Sequence, residues 1–226
     1  MNLIKKTAIM IAAVLMIMAV AASSYAAEAE LVYWGIDGDT LILSAADTGC
    51  ATKGEFAADE AFDPSVGRPW HAYNQMITNI RVDDQAGKVK IADCMDLFFD
   101  LKFLKNVDLS GLDTSETTSM WCFFDGCSAL ESVDLSTLDT SNVTNMQGMF
   151  YQCASLESLD LSSFDTQNVT VMYAMFAGCA SLQSADLSSF DTSKVEEAAD
   201  MFAGCESLAE VKTGSGWTLA DVPVND

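Results

Sequence analysis

The sequence predicts an α/β fold: a short solenoid with a parallel strand face, short helices on the other face, and an N-terminal β-hairpin cap. Three observations predict it. A 26-residue pattern recurs four times between Asn106 and Leu208, with Asp108, Asp134, Asp160 and Asp186 in one phase and Phe124, Phe150, Phe176 and Phe202 in a second. Units of this length bury their apolar faces only against neighbours. Inside each unit a strand-like alternation gives way to helix-like spacing, and ahead of the repeats two short β runs flank Asp37-Gly38, a hairpin turn signal.

Taken in order, the chain opens MNLIKK, runs apolar from Thr7 to Ala22 and reaches Ser24-Tyr25-Ala26. A positive start, an apolar run shorter than the roughly 20 residues of a spanning helix and a small-residue site read as a secretory signal peptide, residues 1–26. Residues 27–76 form the N-terminal cap. There LVYWGIDGDTLILSA supplies the hairpin, the unpatterned stretch from Asp47 to Gly67 reads as loop, and Pro69 can open a turn or a helix. Residues 77–211 are the repeat solenoid of about five coils, starting from a degenerate strand at Ile80 and Val82 and an imperfect copy, ADCMDLFF, from Ala92. Residues 212–226 are the C-terminal cap and tail, with Trp217, Leu219 and Val222 covering the last coil.

Each unit carries its own logic. Leu130, Val133, Leu135 and Leu138 space a short strand, whereas Val143, Met146, Phe150 and Cys153, three, four and three apart, space a helical stripe. Gly126, Gly178 and Gly204 stand where glycine ends a short helix in a left-handed conformation. Asp113, Asp139, Asp165 and Asp191, each followed by threonine, fall between strand and helix and read as structural Asx-turns. Stacked coils of this kind are leucine-rich-repeat-like.

The formal charge is -22, and loss of Lys5 and Lys6 with the signal takes it to -24. That excludes nucleic acid and anionic membranes as electrostatic partners and favours basic surfaces or cations. Of seven cysteines, Cys127, Cys153, Cys179 and Cys205 share one phase on the apolar stripe and read as a reduced core thiol ladder. Cys50, Cys94 and Cys122 lie outside it, and a Cys50–Cys94 bridge is left open. The single histidine, His71, has no recognisable catalytic or zinc partner, and neither a phosphate-cradling loop nor a nucleophile elbow occurs. No catalytic residue, cofactor or metal site is assigned, and no enzyme is expected.

The units LESVDLSTLDTSNVTNMQGMFYQC from Leu130 and LESLDLSSFDTQNVTVMYAMFAGC from Leu156 resemble those of the BspA-like leucine-rich-repeat surface proteins of bacteria. GDTLILS and PWHAYNQMITNIRV are similar to the capping stretch of the same proteins, so the resemblance covers roughly residues 31–217. The copy at Leu182 departs at Lys194, Glu196, Glu197 and Ala198. The resemblance implies an exported, secreted or cell-surface, non-enzymatic protein, with adhesion to host proteins or other cells, and it brings no catalytic residues.

The outward strand positions are the candidate binding site. Asp108, Asp134, Asp160 and Asp186 form a column flanked by Ser110, Ser136, Ser162 and Ser188. The expected partner is a protein or cell surface; no nucleic acid and no membrane span after signal cleavage are expected. Two alternatives stand beside it: a structural spacer without a dedicated ligand, and a calcium-assisted glycan-binding protein. Oxygen ligands suit calcium, but a regular ladder lacks the convergent oxygens each ion needs.

Overall fold

The computed structural model describes residues 31–46, 52–57, 67–85 and 87–219. The expected signal peptide, Cys50, Val222 and most of the C-terminal tail lie outside these residues. Strand β1 (Leu31–Asp37) turns at Gly38, where φ is +61°, into β2 (Thr40–Ser44), with Trp34 opposite Leu43. Glycine adopts that left-handed backbone without the Cβ clash other residues meet. Val32, Trp34 and Ile36 alternate inward along β1, whereas Leu41 to Ser44 are buried throughout, so both faces of β2 are covered. Strand β3 (Thr52–Ala57) adds to β1 inside the stretch that sequence patterning marks as loop.

Pro69 starts a 3-10 helix, Pro69–Tyr73, that seats Trp70 out of solvent against Trp34, with ring centroids 6.3 Å apart. Then follow β4 (Asn79–Asp83), β5 (Val89–Lys90), β6 (Asn106–Asp108), β7 (Leu112–Asp113), β8 (Ser184–Leu187) and β9 (Glu210–Thr213). The largest sheet has the order β3-β1-β2-β4-β6 and is mixed: antiparallel in the β1–β3 meander, parallel where β2 meets β4 and β4 meets β6. The pairs β5–β7 and β8–β9 are separate parallel two-stranded sheets.

The predicted α/β class is therefore corrected. The structure is mostly sheet and loop, with the 3-10 turn as its helix among the described residues, and it is not a helix-bearing, leucine-rich-repeat-like solenoid. The hydrogen bonds give the reason. Within the expected helix around Phe124, the N–H groups of Phe123, Asp125 and Cys127 bond three residues back, to Met120, Cys122 and Phe124 oxygens at 3.3, 3.2 and 3.1 Å. The intervening N–H groups of Cys122, Phe124 and Gly126 leave the segment altogether, reaching Gln147, Met149 and Tyr151 oxygens at 2.9, 2.9 and 2.8 Å. An α-helix needs those donors for its own ladder four residues back. Left-handed backbone at Cys122 (φ +53°) and Gly126 (φ +75°) breaks the path further. The strand face is reduced as well: residues 131–135 and 157–161 carry the strand pattern but form no strand.

Units nevertheless repeat in register. Parallel bridges link Asp93, Ser119, Asn145, Val171 and Glu197 in succession. One apolar core runs from Val32 to Leu208, and at its centre Phe98, Phe124, Phe150, Phe176 and Phe202 stack at centroid spacings of 5.4, 5.8, 5.8 and 5.3 Å.

Candidate functional site: the aspartate-serine face

The four aspartates of the candidate column, Asp108, Asp134, Asp160 and Asp186, are all exposed. Each also turns the chain. The N–H groups of Ser110, Ser136, Ser162 and Ser188 donate to Asp108, Asp134, Asp160 and Asp186 Oδ1 at 3.0, 2.9, 3.0 and 3.0 Å. These hydrogen bonds, the serine side chain first and the backbone second, hold all four carboxyls below the usual carboxylate range. For Asp160 the neighbouring charges of Asp134 and Asp186 act the other way, so the column does repel itself.

Cations close both ends of the column. Arg81 is the register partner of Asp108, and Lys212 that of Asp186. Lys212 Nζ lies 4.0 Å from Asp186 Oδ2 while Oδ1 of the same carboxylate accepts from Ser188. One oxygen shapes the turn and the other faces outward. Two shallow depressions lie along this face, about 370 Å³ between Asp160 and Asp186, and about 200 Å³ between Asp108 and Asp134.

The second series does the same local work at the next corner. Ser115, Ser141, Gln167 and Ser193 N–H groups donate to Asp113, Asp139, Asp165 and Asp191 Oδ1 at 2.9–3.0 Å. A third corner is closed by Asp93, Ser119 and Asn145 side chains, which accept from Met95, Trp121 and Gln147 N–H groups. Sequence reasoning noted the threonine beside each aspartate but missed what its hydroxyl does. Thr114, Thr140 and Thr166 are about 1% exposed, and their hydroxyls donate to Asp139, Asp165 and Asp191 oxygens at 2.9, 2.9 and 3.0 Å. Each hydroxyl also accepts the N–H of that same aspartate at 2.8 Å. The threonine hydroxyl thus stands in for a missing backbone rung between units. Its signal was available: threonine follows the corner aspartate in every copy.

Cys127, Cys153, Cys179 and Cys205 are free and buried, and each thiol donates to a phenylalanine carbonyl of the preceding unit at 3.1–3.2 Å. Burial pushes these thiols upward, which keeps them protonated donors. Cys94 is also a buried free thiol; the Cys50 half of the bridge that sequence reasoning left open lies outside the described residues. His71 is half-buried, its Nε2 has no hydrogen-bond partner among the described residues, and its ring lies 5.8 Å from Phe99. Burial first, then Arg68, lowers its pKa. Asp96 and Asp125, near the same end, are pushed up to about 6, mainly by burial. Among the described residues no group of three or more histidine, cysteine or acidic side chains is placed to hold a metal ion. No helix there is long and apolar enough to cross a membrane.

Stacked 26-residue units cornered by Asx-turns, with an acidic column on one face, define a repeat protein. A family model described as Mycoplasma protein of unknown function, DUF285, matches residues 91–217, more than half of the chain, and the chain belongs to that family. Neither curated proteins nor solved structures yield a match.

Proposed function

We propose that the chain is a non-enzymatic, BspA-like repeat protein, secreted or held at the cell surface, that binds a basic protein or cell surface through its aspartate-serine face. One observation carries this reading: Lys212 reaches the outward Oδ2 of Asp186 without disturbing the turn made by Oδ1. The chain's own lysine stands where a partner's lysine would stand on Asp134 and Asp160. Contacts of this kind are individually weak and screened by salt, so binding is multivalent and salt-dependent. The spacer reading has its own support, since every aspartate of the column is already used in a turn. Changing Asp134, Asp160 and Asp186 together to Asn separates the two, because Asn keeps the Oδ1 acceptor and loses the charge. The variant is expected to melt like the parent and to lose adhesion to a lysine-rich protein surface at low salt. Equal adhesion by both would remove the face from the function and leave the spacer.

A further inference from the structure

The two ends of the repeat stack are finished differently. Along the stack, each unit donates four alternate N–H groups to the next. Met172, Ala174, Phe176 and Gly178 bond Glu197, Ala199, Met201 and Ala203 oxygens at 2.7, 3.0, 2.9 and 2.7 Å. At the first unit, three of the four equivalent carbonyls that would face a preceding unit are taken by side chains. Arg68 Nη2 donates to Asp93 and Met95 oxygens at 2.6 and 2.9 Å, and the Trp70 indole donates to Leu97 at 3.0 Å. At the last unit the corresponding donors are Ala198, Asp200, Phe202 and Gly204, and among the described residues none of these four N–H groups has an acceptor. The backbone there keeps the shape of the interior units, with φ +59° at Asp200 and +73° at Gly204.

We propose that this C-terminal edge is a docking site, in trans, for a turn-built segment of a different protein. That segment presents backbone carbonyls at alternate residues and carries lysine or arginine at its flanks. The row offers only donors, so it takes carbonyls; this is strand addition transposed to a turn ladder. Its rim sets the charge: Glu196, Glu197, Asp200 and Glu206 are exposed where the preceding unit has Thr170, Val171, Ala174 and Ala180. A second copy of this chain is excluded as the occupant, because Arg68 and Trp70 already cover three of its four matching acceptors. The site is separate from the aspartate-serine face and stands or falls without it.

Residue-resolved amide hydrogen exchange on the full chain tests this, with a synthetic peptide of residues 171–180 flanked by lysines as the probe. In the free protein Ala198, Asp200, Phe202 and Gly204 exchange fast while Met172, Ala174, Phe176 and Gly178 are protected. The peptide slows the four edge amides by about tenfold or more, as newly paired amides are. It does so equally in the triple Asp→Asn variant of the face, and less when Ala199 and Ala203, both exposed, are changed to Lys. Slow exchange of the four amides without peptide would show that the chain's own tail covers the edge and would overturn the proposal. So would a saturating peptide that leaves them fast, which would make the acidic rim a guard against pairing.

Discussion

The N-terminal sheet and the repeat stack bury comparable apolar columns but satisfy their backbones by different means. In β1, β2 and β4 the strands pair along five-residue registers, and side chains contribute chiefly by packing. In the units from Ala92 onward continuous strand is scarce, and side-chain oxygens take over: an Asx-type acceptor at each corner and a buried threonine hydroxyl between units. A sheet tolerates many polar substitutions on its open face, because its hydrogen bonds are made by the main chain. A turn stack of this kind is tied to particular residues at each corner. That dependence accounts physically for the constancy of Asp-Thr and Asp-Leu-Ser across the copies.

The largest expected effect tests whether the two regions share one transition. Phe150 is fully buried between Phe124 and Phe176, and Phe150→Ala is expected to cost about 3–5 kcal/mol in urea unfolding. Leu41→Ala in the sheet is expected to cost about 2–5 kcal/mol. Because one core spans both regions, each variant should lower the same single midpoint. Two separated transitions would break the comparison into independent modules.

A middle-sized effect sharpens it. Thr140→Val keeps the shape but strips the hydroxyl that serves both the N–H and the oxygen of Asp165, leaving part-buried backbone groups unpaired. The expected loss is about 1–3 kcal/mol. The matched change in the sheet, Thr40→Val, removes an exposed contact to Asp39 and is expected to stay within about 0.5 kcal/mol. Equal losses at the two positions would contradict the claim that threonine acts as a rung.

The acids split by pH in the same way. Asp96 and Asp125 have folded pKa values raised to about 6, so their contribution is present below the unfolded value and is lost as pH rises through 6. Asp134, Asp139 and Asp191 are lowered, so their contribution is present at neutral pH and is lost as pH falls through their folded values. Changing Asp96 and Asp125 to Asn should raise the melting temperature relative to the parent at pH 7.5 and make no difference near pH 4. Both groups are only partly buried, so solvent screening keeps the effect small.

The repeat, the hairpin turn at Gly38 and the phases of the buried phenylalanines and thiols were legible in the sequence, because period and burial alone fix them. The helices were not. A spacing of three, four and three also suits a staircase of turns that bond three residues back, and only the neighbouring unit decides which forms. Its left-handed corners fall on Gly126, Gly178 and Gly204, which the glycine pattern announced, and also on Cys122, Gln152, Ala174 and Asp200, which it did not. Strand β3 was hidden because TKGEFA is short and Gly54 interrupts it, where the Trp34 indole leaves no room for a Cβ. At the candidate site, the column itself was readable but its double use was not. Which carboxylate oxygen accepts from which N–H is a fact of geometry.

That double use yields the smallest and most selective prediction. Asp134→Asn retains an acceptor for the Ser136 N–H, whereas Asp134→Ala removes it and leaves the corner to water. Melting temperatures should therefore rank parent and Asn together, with Ala below them. Binding to a basic surface should rank parent above Asn and Ala together. The same pair of changes at Asp37, an exposed residue at the end of β1 outside the column, should move neither ranking. If Asn and Ala at position 134 melt alike, the turn does not need the side chain, and the recurrence of aspartate in this phase is left to binding alone.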